Sequence, residues 1–157
     1  MRRVLWVFFV VASLGLIHED GSKEELLQSH IIVDRDIRPY FNRIVKDIQR
    51  EGVKINLNQP ISIKLVDIED EGIIGRAIGM FDRGRVEIII DRDFWYDFNE
   101  MERGWALLHE MGHDFWEIFH YGDGIMRPYH QQGETHKTYV EAFKEMMADL
   151  RRAQGAR

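Results

Sequence analysis

The feature that most constrains this fold is an apolar stripe at helical spacing in the last third of the chain. It consists of Trp105, Leu108, Gly112, Phe115, Trp116 and Phe119. Residues three and four apart lie on one face of an α-helix, so the stripe predicts a long helix with one buried face. The 157 residues provide room for one core to cover that face, and without cysteine no disulfide can substitute for a core.

The segments around the stripe predict the elements that cover it. Apolar spacing predicts a helix at residues 34–50, strands at 61–65 and 86–90, a further strand at 73–81, and a final helix capped by Thr135. Gly75 and Gly79 weaken the strand at 73–81, because glycine offers no side chain to pack. Together these elements predict one α+β domain, with a small twisted mixed sheet, a backing helix, the helix of the stripe and a C-terminal helix.

The first residues have a different composition from the rest. Met1-Arg2-Arg3 precedes an apolar run at residues 4–17, which is typical of a secretory signal and short for a membrane span. We therefore expect residues 1–20 to be a signal peptide, or a short membrane anchor if uncleaved, and residues 21–157 to form an exported domain. A buried N-terminal helix is the remaining interpretation. The net charge of −6 disfavours nucleic acid as a partner.

The helix of the stripe carries the strongest chemical pattern in the sequence. His109, Glu110 and His113 form an HExxH motif, in which two histidines one turn apart can bind the same metal ion. Glu110 follows the first histidine by about 100° around the helix, which directs its carboxylate towards the open position of that ion. Since the chain lacks cysteine, its metal ligands must be nitrogen or oxygen, and zinc is the metal that this motif predicts.

Zinc requires a third protein ligand, for which the sequence offers two schemes. His120 is the nearest candidate, but a continuous helix would carry it about 10 Å beyond His113. This scheme therefore requires the chain to leave the helix between Trp116 and His120 and to fold back. In the alternative, gluzincin-type scheme, Glu141 or Glu145 on the last predicted helix supplies a carboxylate.

The order of these motifs resembles the metzincin zinc peptidases. The motif at residues 109–113, the later His120 and the segment at residues 124–128 are similar to their helix histidines, third histidine and methionine turn. Small bacterial metallopeptidase-like proteins related to matrixins are the most similar group. The resemblance implies a minimal zincin/metzincin-like domain with three histidine ligands, Glu110 as the general base and Met126 as the Met-turn residue.

The same resemblance implies a zinc metallopeptidase, in which zinc-activated water attacks a peptide carbonyl while Glu110 moves the proton. The substrate, a peptide or protein, is expected to add as a strand to the antiparallel edge of the sheet. Tyr129 is a candidate to stabilise an oxyanion. The other functions that the sequence leaves open are a non-catalytic zinc protein and an envelope-associated interaction protein without metal. The oligomeric state is not predicted.

Two positions depart from the larger metzincin pattern. His120 comes one residue late, and Trp116 stands where the usual glycine turn is expected. A turn without glycine is expected to avoid positive φ, since side chains are strained there.

Overall fold

The computed structural model describes residues 30–70, 72–82, 84–128 and 135–155. Both the predicted signal or anchor segment, residues 1–20, and Tyr129 lie outside these ranges. The elements in chain order are β1 (Ile31–Val33), α1 (Arg38–Arg50), β2 (Ile61–Val66), β3 (Gly75–Ala77), β4 (Val86–Asp91), α2 (Arg92–Asp97), α3 (Glu100–Trp116) and α4 (His136–Gly155).

The four strands form one mixed sheet in the order β1-β2-β4-β3. The pairs β1–β2 and β2–β4 are parallel, whereas β3 pairs with β4 in the antiparallel direction. With its four helices, the described part of the chain is an α+β fold with a small mixed sheet, as predicted. The structure adds that β3 is the antiparallel edge strand.

The core lies on one face of this sheet, where alternate residues of β2 and β4 meet the helices. The buried strand residues on this face are Ile61, Ile63, Leu65, Val86, Ile88 and Ile90. The apolar side of α1 and the part of the stripe from Trp105 to Trp116 pack into the same cluster. The last predicted stripe residue, Phe119, lies beyond the end of α3 and is exposed, because the helix stops at Trp116. Alternation in the strands and helical spacing in α3 therefore bury their apolar residues together, which holds the metal-motif helix against the sheet.

The helical region after β4 is divided in two, which the sequence did not predict. Asp91 caps α2 by accepting hydrogen bonds from two backbone N–H groups. The chain then leaves helical geometry at Phe98, and Asn99 and Glu102 form a reciprocal capping box that starts α3. This cap fixes the first residue of the helix that carries the metal motif.

Two predicted elements are shorter in the structure. The first helix begins at Arg38 rather than residue 34, because Asp34 forms a turn and its carboxylate accepts the backbone N–H of Leu65 at 2.7 Å. The strand predicted at 73–81 is limited to Gly75–Ala77, since the chain turns at Gly79 and Phe81 takes a φ of 72°. The short strand β1 was not predicted.

The C-terminal helix agrees with its prediction. The hydroxyl of Thr135 accepts the backbone N–H of Thr138 at 3.3 Å. On the inner side of this helix Phe143, Met146, Met147 and Leu150 are buried, whereas Tyr139 is partly buried. In the portions of the chain that the structure describes, no helix has both the length and the apolar character that membrane crossing requires.

Candidate metal centre

Helix α3 places the HExxH residues at the boundary between core and cleft. His109 and His113 are partly exposed, whereas Glu110 retains only 7% of its accessible surface. Because α3 is capped at one end and packed along its apolar stripe, the two imidazoles project from a fixed backbone. The i, i+4 spacing places the Nε2 atoms of His109 and His113 3.1 Å apart.

His120 joins this pair from the loop after α3. Its Nε2 atom lies 3.1 Å from Nε2 of His109 and 3.1 Å from Nε2 of His113. The three nitrogens form a nearly equilateral triangle, and these three residues could hold a metal ion. The structure therefore brings together the three histidines of the first ligand scheme.

A residue in the left-handed backbone conformation turns the chain back towards the site after α3. The helix ends at Trp116, and Glu117 takes φ 56° and ψ 38°. The N–H of Ile118 then donates to the carbonyl of Gly112, which turns the loop back along the helix. The predicted departure between Trp116 and His120 is confirmed. The expectation that the turn avoids positive φ is wrong, and its turning residue is Glu117 rather than Trp116.

Backbone carbonyls orient two of the three imidazoles. Nδ1 of His109 lies 2.7 Å from the carbonyl oxygen of Ile125, and Nδ1 of His113 lies 2.5 Å from that of Ile118. A carbonyl can only accept, so both Nδ1 atoms carry the proton and both Nε2 atoms present lone pairs. Lone pairs converging at 3.1 Å repel one another unless a cation binds them.

The donor set fits zinc. Zinc binds imidazole nitrogen at about 2.0–2.1 Å, and tetrahedral geometry then separates two such nitrogens by about 3.3 Å, close to the observed spacing. Within the described residues, the only group of three or more potential ligands whose donor atoms cluster is the histidine triad. Glu141 and Glu145 lie exposed on α4 and do not belong to it, so the geometry offers no support for the carboxylate scheme.

The triad opens into a cleft of about 600 Å³ between β3, α3 and the loop that follows α3. Glu110 lines this cleft beside His109 and His113. Burial raises the pKa of Glu110 to about 8, although the N–H of Ala77 hydrogen-bonds to its carboxylate and acts in the opposite direction. Glu110 is therefore a basic carboxylate that faces the same space as the histidine nitrogens.

The histidines of α3 favour their neutral form. Burial is the largest cause that lowers the pKa of His109 to about 4, and the neighbouring charges of His113, His120 and Arg127 contribute in the same direction. The pKa of His113 is also lowered, again mainly by burial. Neutral imidazoles are the form that binds metal, so this environment prepares both residues as ligands at neutral pH.

Met126 and Asp114 make contacts that hold helix α3 in place. Met126 is 1% exposed, and its Sδ atom would lie 2.4 Å from a Cβ added at Gly112, so the methionine packs directly on the motif helix. Asp114 is buried and accepts the backbone N–H groups of Gly79 and Glu87. It thus joins α3 to the hairpin of β3 and β4, and it is not a metal ligand in this geometry.

The cleft also contains a buried cation, Arg127, that was not predicted from the sequence. Arg127 is 5% exposed and stacks over the ring of Trp105, with its guanidinium carbon 4.2 Å from the ring centroid. Its place directly after the Met126 turn was visible in the sequence. Its burial was not, because the packing of Arg127 against Trp105 joins residues 22 positions apart.

Comparison of the chain with models of protein families, with curated proteins and with solved structures finds no match.

Proposed function

We propose that this chain is a zinc metallopeptidase with a minimal metzincin-like catalytic domain at residues 21–157. The observation that supports this proposal most strongly is that three convergent histidine nitrogens and one buried carboxylate, Glu110, share a single cleft beside an edge strand. A purely structural zinc site closes all four positions with protein ligands, whereas three ligands and an open cleft are typical of catalytic sites.

His109, His113 and His120 would hold the metal. When bound, zinc supplies Lewis acidity that activates water and polarises a carbonyl. Glu110 accepts a proton from the attacking water and passes it to the departing amine. Burial makes this carboxylate a stronger base, and the positive charge of a bound zinc ion would favour the ionised form that accepts the proton.

The edge of β3 suits an extended peptide as substrate. The carbonyl of Ile74 and the N–H of Ile78 bond to β4. Since inward and outward residues alternate along an antiparallel strand, Gly75 and Ala77 direct their backbone groups to the open edge. The N–H of Ala77 is bonded to Glu110, so a peptide would pair there with Gly75 and with the carbonyl of Ala77, and it would run past Glu110.

We also propose export of the domain. The support is the basic start and the apolar run at residues 4–17, a pattern typical of a cleaved signal.

The decisive experiment combines metal analysis with a Glu110→Gln variant of the full chain. The wild type is expected to bind one zinc ion per chain and to cleave members of a peptide library. Glu110→Gln keeps the size of the side chain but removes its basicity. We therefore expect stoichiometric zinc with kcat/KM lowered by about 10²–10⁴-fold.

The matched control is Glu100→Gln, which makes the same change at an exposed position on the same helix, about 15 Å from Glu110 along its axis. Its zinc content and kcat/KM are expected to equal those of the wild type. Undiminished activity in Glu110→Gln contradicts the mechanism. Stoichiometric zinc without turnover in the wild type supports a non-catalytic zinc protein. Absence of zinc contradicts both zinc functions and leaves the interaction protein without metal.

A further inference from the structure

Two glycines near the edge strand each lie against one carboxylate of α3. A Cβ added at Gly75 would lie 2.9 Å from both Cγ and Oε1 of Glu110. A Cβ added at Gly79 would lie 2.5 Å from Oδ1 of Asp114. The two glycines are four residues apart, and so are the two carboxylates. The β3 segment and α3 therefore approach each other through two matching glycine–carboxylate contacts.

Lack of space, rather than backbone conformation, explains the glycine in β3. Gly75 is not among the positive-φ residues of the described chain, so its backbone conformation does not require glycine. Carbon atoms in van der Waals contact are about 3.5–4.0 Å apart, and a methyl group at 2.9 Å from Cγ of Glu110 would overlap it. Glycine weakens a strand, and here it allows the strand and the carboxylate to meet.

A hydrogen bond completes this contact. The N–H of Ala77, two residues after Gly75, donates to the carboxylate of Glu110. One side of the Glu110 side chain therefore rests on the Cα of Gly75, and its carboxylate is held by the next outward-facing residue of the strand. We call the backbone of Gly75–Ala77 the carboxylate seat.

We infer that the carboxylate seat sets the position of Glu110 relative to the histidine triad, and that Gly75 is a positioning residue for the general base. This inference rests on the proposed function for its catalytic consequence. Catalysis by a carboxylate is sensitive to displacement, since a misplacement of about 1 Å can cost about 10²-fold in rate. A methyl group at Gly75 would displace the Glu110 side chain from the seat while the three histidines remain in place.

The second contact serves a different purpose. Asp114 accepts the N–H of Gly79 at 3.2 Å and the N–H of Glu87 at 2.9 Å. It therefore binds α3 to the hairpin of β3 and β4. Asp114 lies outside the residues that line the 600 Å³ cleft, whereas Gly75 and Glu110 both line it. Of the two contacts, the one at Gly75 therefore borders the cleft that contains the histidine triad.

A thermal double-mutant cycle on the zinc-loaded full chain tests the contact without any substrate. Its four members are wild type, Gly75→Ala, Glu110→Ala and the double variant. Overpacking against Glu110 is expected to lower the Tm of Gly75→Ala by about 4–10 °C. Glu110→Ala removes the three atoms nearest to the new methyl group, all of which belong to the Glu110 side chain. In that background Gly75→Ala is expected to change Tm by less than about 2 °C.

Steady-state kinetics with a cleaved peptide tests the positioning role. Gly75→Ala is expected to lower kcat by at least about 10-fold, with zinc affinity within about 3-fold of the wild type. Gly104→Ala is the matched control, because it adds the same methyl group to α3, where the nearest atoms belong to Tyr139 and lie at 3.4 Å or more. Its kcat is expected to remain that of the wild type.

Each contrary result has a distinct meaning. An equal Tm loss with and without the Glu110 side chain overturns the seat, since the methyl group must then overlap something else. A Gly75→Ala variant with full kcat overturns the positioning role. A zinc-loaded wild type that cleaves no peptide overturns the proposed function, and the thermal cycle then decides whether the seat exists.

Discussion

The metal centre has two halves that are built differently. The helix half is His109, Glu110 and His113, which share the regular backbone of a capped helix packed on the sheet. The loop half is residues 117–128, which supply His120 and Met126 without any repeating hydrogen-bond pattern. The backbone hydrogen bonds of the helix half lie within α3, so the shape of this half does not require the loop. The loop half depends on what it contacts.

Two of those contacts come from the helix half itself. The rings of His109 and His113 donate to the carbonyls of Ile125 and Ile118 through Nδ1, while their Nε2 atoms face the triad. Each ring thus joins the loop on one side and would bind metal on the other. The helix therefore positions His109 and His113 directly. The loop that carries His120 is held in turn by hydrogen bonds from the rings of these two histidines.

The largest expected effect is a difference between the two halves in zinc affinity. His113→Ala removes one ligand and also the bond that holds Ile118, so we expect affinity to fall by at least about 10³-fold. His120→Ala leaves a pre-organised pair on the helix, and a fall of about 10²-fold is expected. Competition with a chromogenic chelator measures both.

His136→Ala is the control for these variants, since His136 is an exposed histidine at the start of α4 and should leave zinc affinity unchanged. Equal losses in His113→Ala and His120→Ala would remove the distinction between the halves. A larger loss in His120→Ala would reverse it.

Removal of zinc is expected to increase the dynamics of the loop half more than those of the helix half. At a thousandfold excess of free zinc over Kd, binding contributes about 4 kcal/mol to the unfolding free energy, which a chelator removes. The amides of Ile118, Tyr121 and Arg127 bond within or near the loop half and should exchange faster without zinc. Hydrogen exchange of amides in the middle of α3 should change much less.

Equal acceleration in α3 and in the loop would contradict this prediction, because the helix half would then also depend on the ion. No acceleration in either would show that packing alone orders the loop half.

The same contrast explains how much could be predicted from the sequence. The helix half was predictable because helical spacing and the HExxH motif are local signals. The strands β2 and β4 were predictable from alternation for the same reason. The start of α3 at the capping box of Asn99 and Glu102 was not predicted. The demand that the chain fold back before His120 followed from helix geometry alone.

The remaining features depend on contacts between distant residues. The strand β3 is short because Gly79 turns where Asp114 of α3 accepts its N–H, a contact across 35 positions. The strand β1 has three residues and exists only by pairing with β2. The left-handed turn at Glu117 has no local signal, since glycine or asparagine is the usual residue there.

A smaller effect is expected where the two halves are packed together. Gly112→Ala in α3 directs a methyl group at Sδ of Met126, which belongs to the loop half. Overpacking costs about 1–3 kcal/mol, and the gain in helix propensity offsets about 1 kcal/mol of it. We expect a net loss of up to about 2 kcal/mol in the unfolding free energy of the zinc-loaded chain, measured by urea unfolding.

Gly104→Ala is the control on the same helix, and it should gain about 0.5–1 kcal/mol because its methyl group has room beside Tyr139. If Gly112→Ala were as stable as Gly104→Ala, the methionine would rearrange at little cost. The packing of Met126 against α3 would then contribute little to joining the two halves.

The smallest expected effect concerns the residue at which the loop half begins. Glu117 occupies the left-handed region with φ 56°, where a Cβ costs about 1–2 kcal/mol and glycine is not strained. Glu117→Gly should therefore raise the unfolding free energy by about 0.5–1 kcal/mol and leave zinc affinity within about 3-fold. Glu117→Ala removes the same side chain but keeps the Cβ, so it separates backbone strain from side-chain contacts. We expect glycine to be more stable than alanine at this position by about 1 kcal/mol. Equal stabilities would mean that the loop half starts without strain, and that the contacts beyond Glu117 hold the turn.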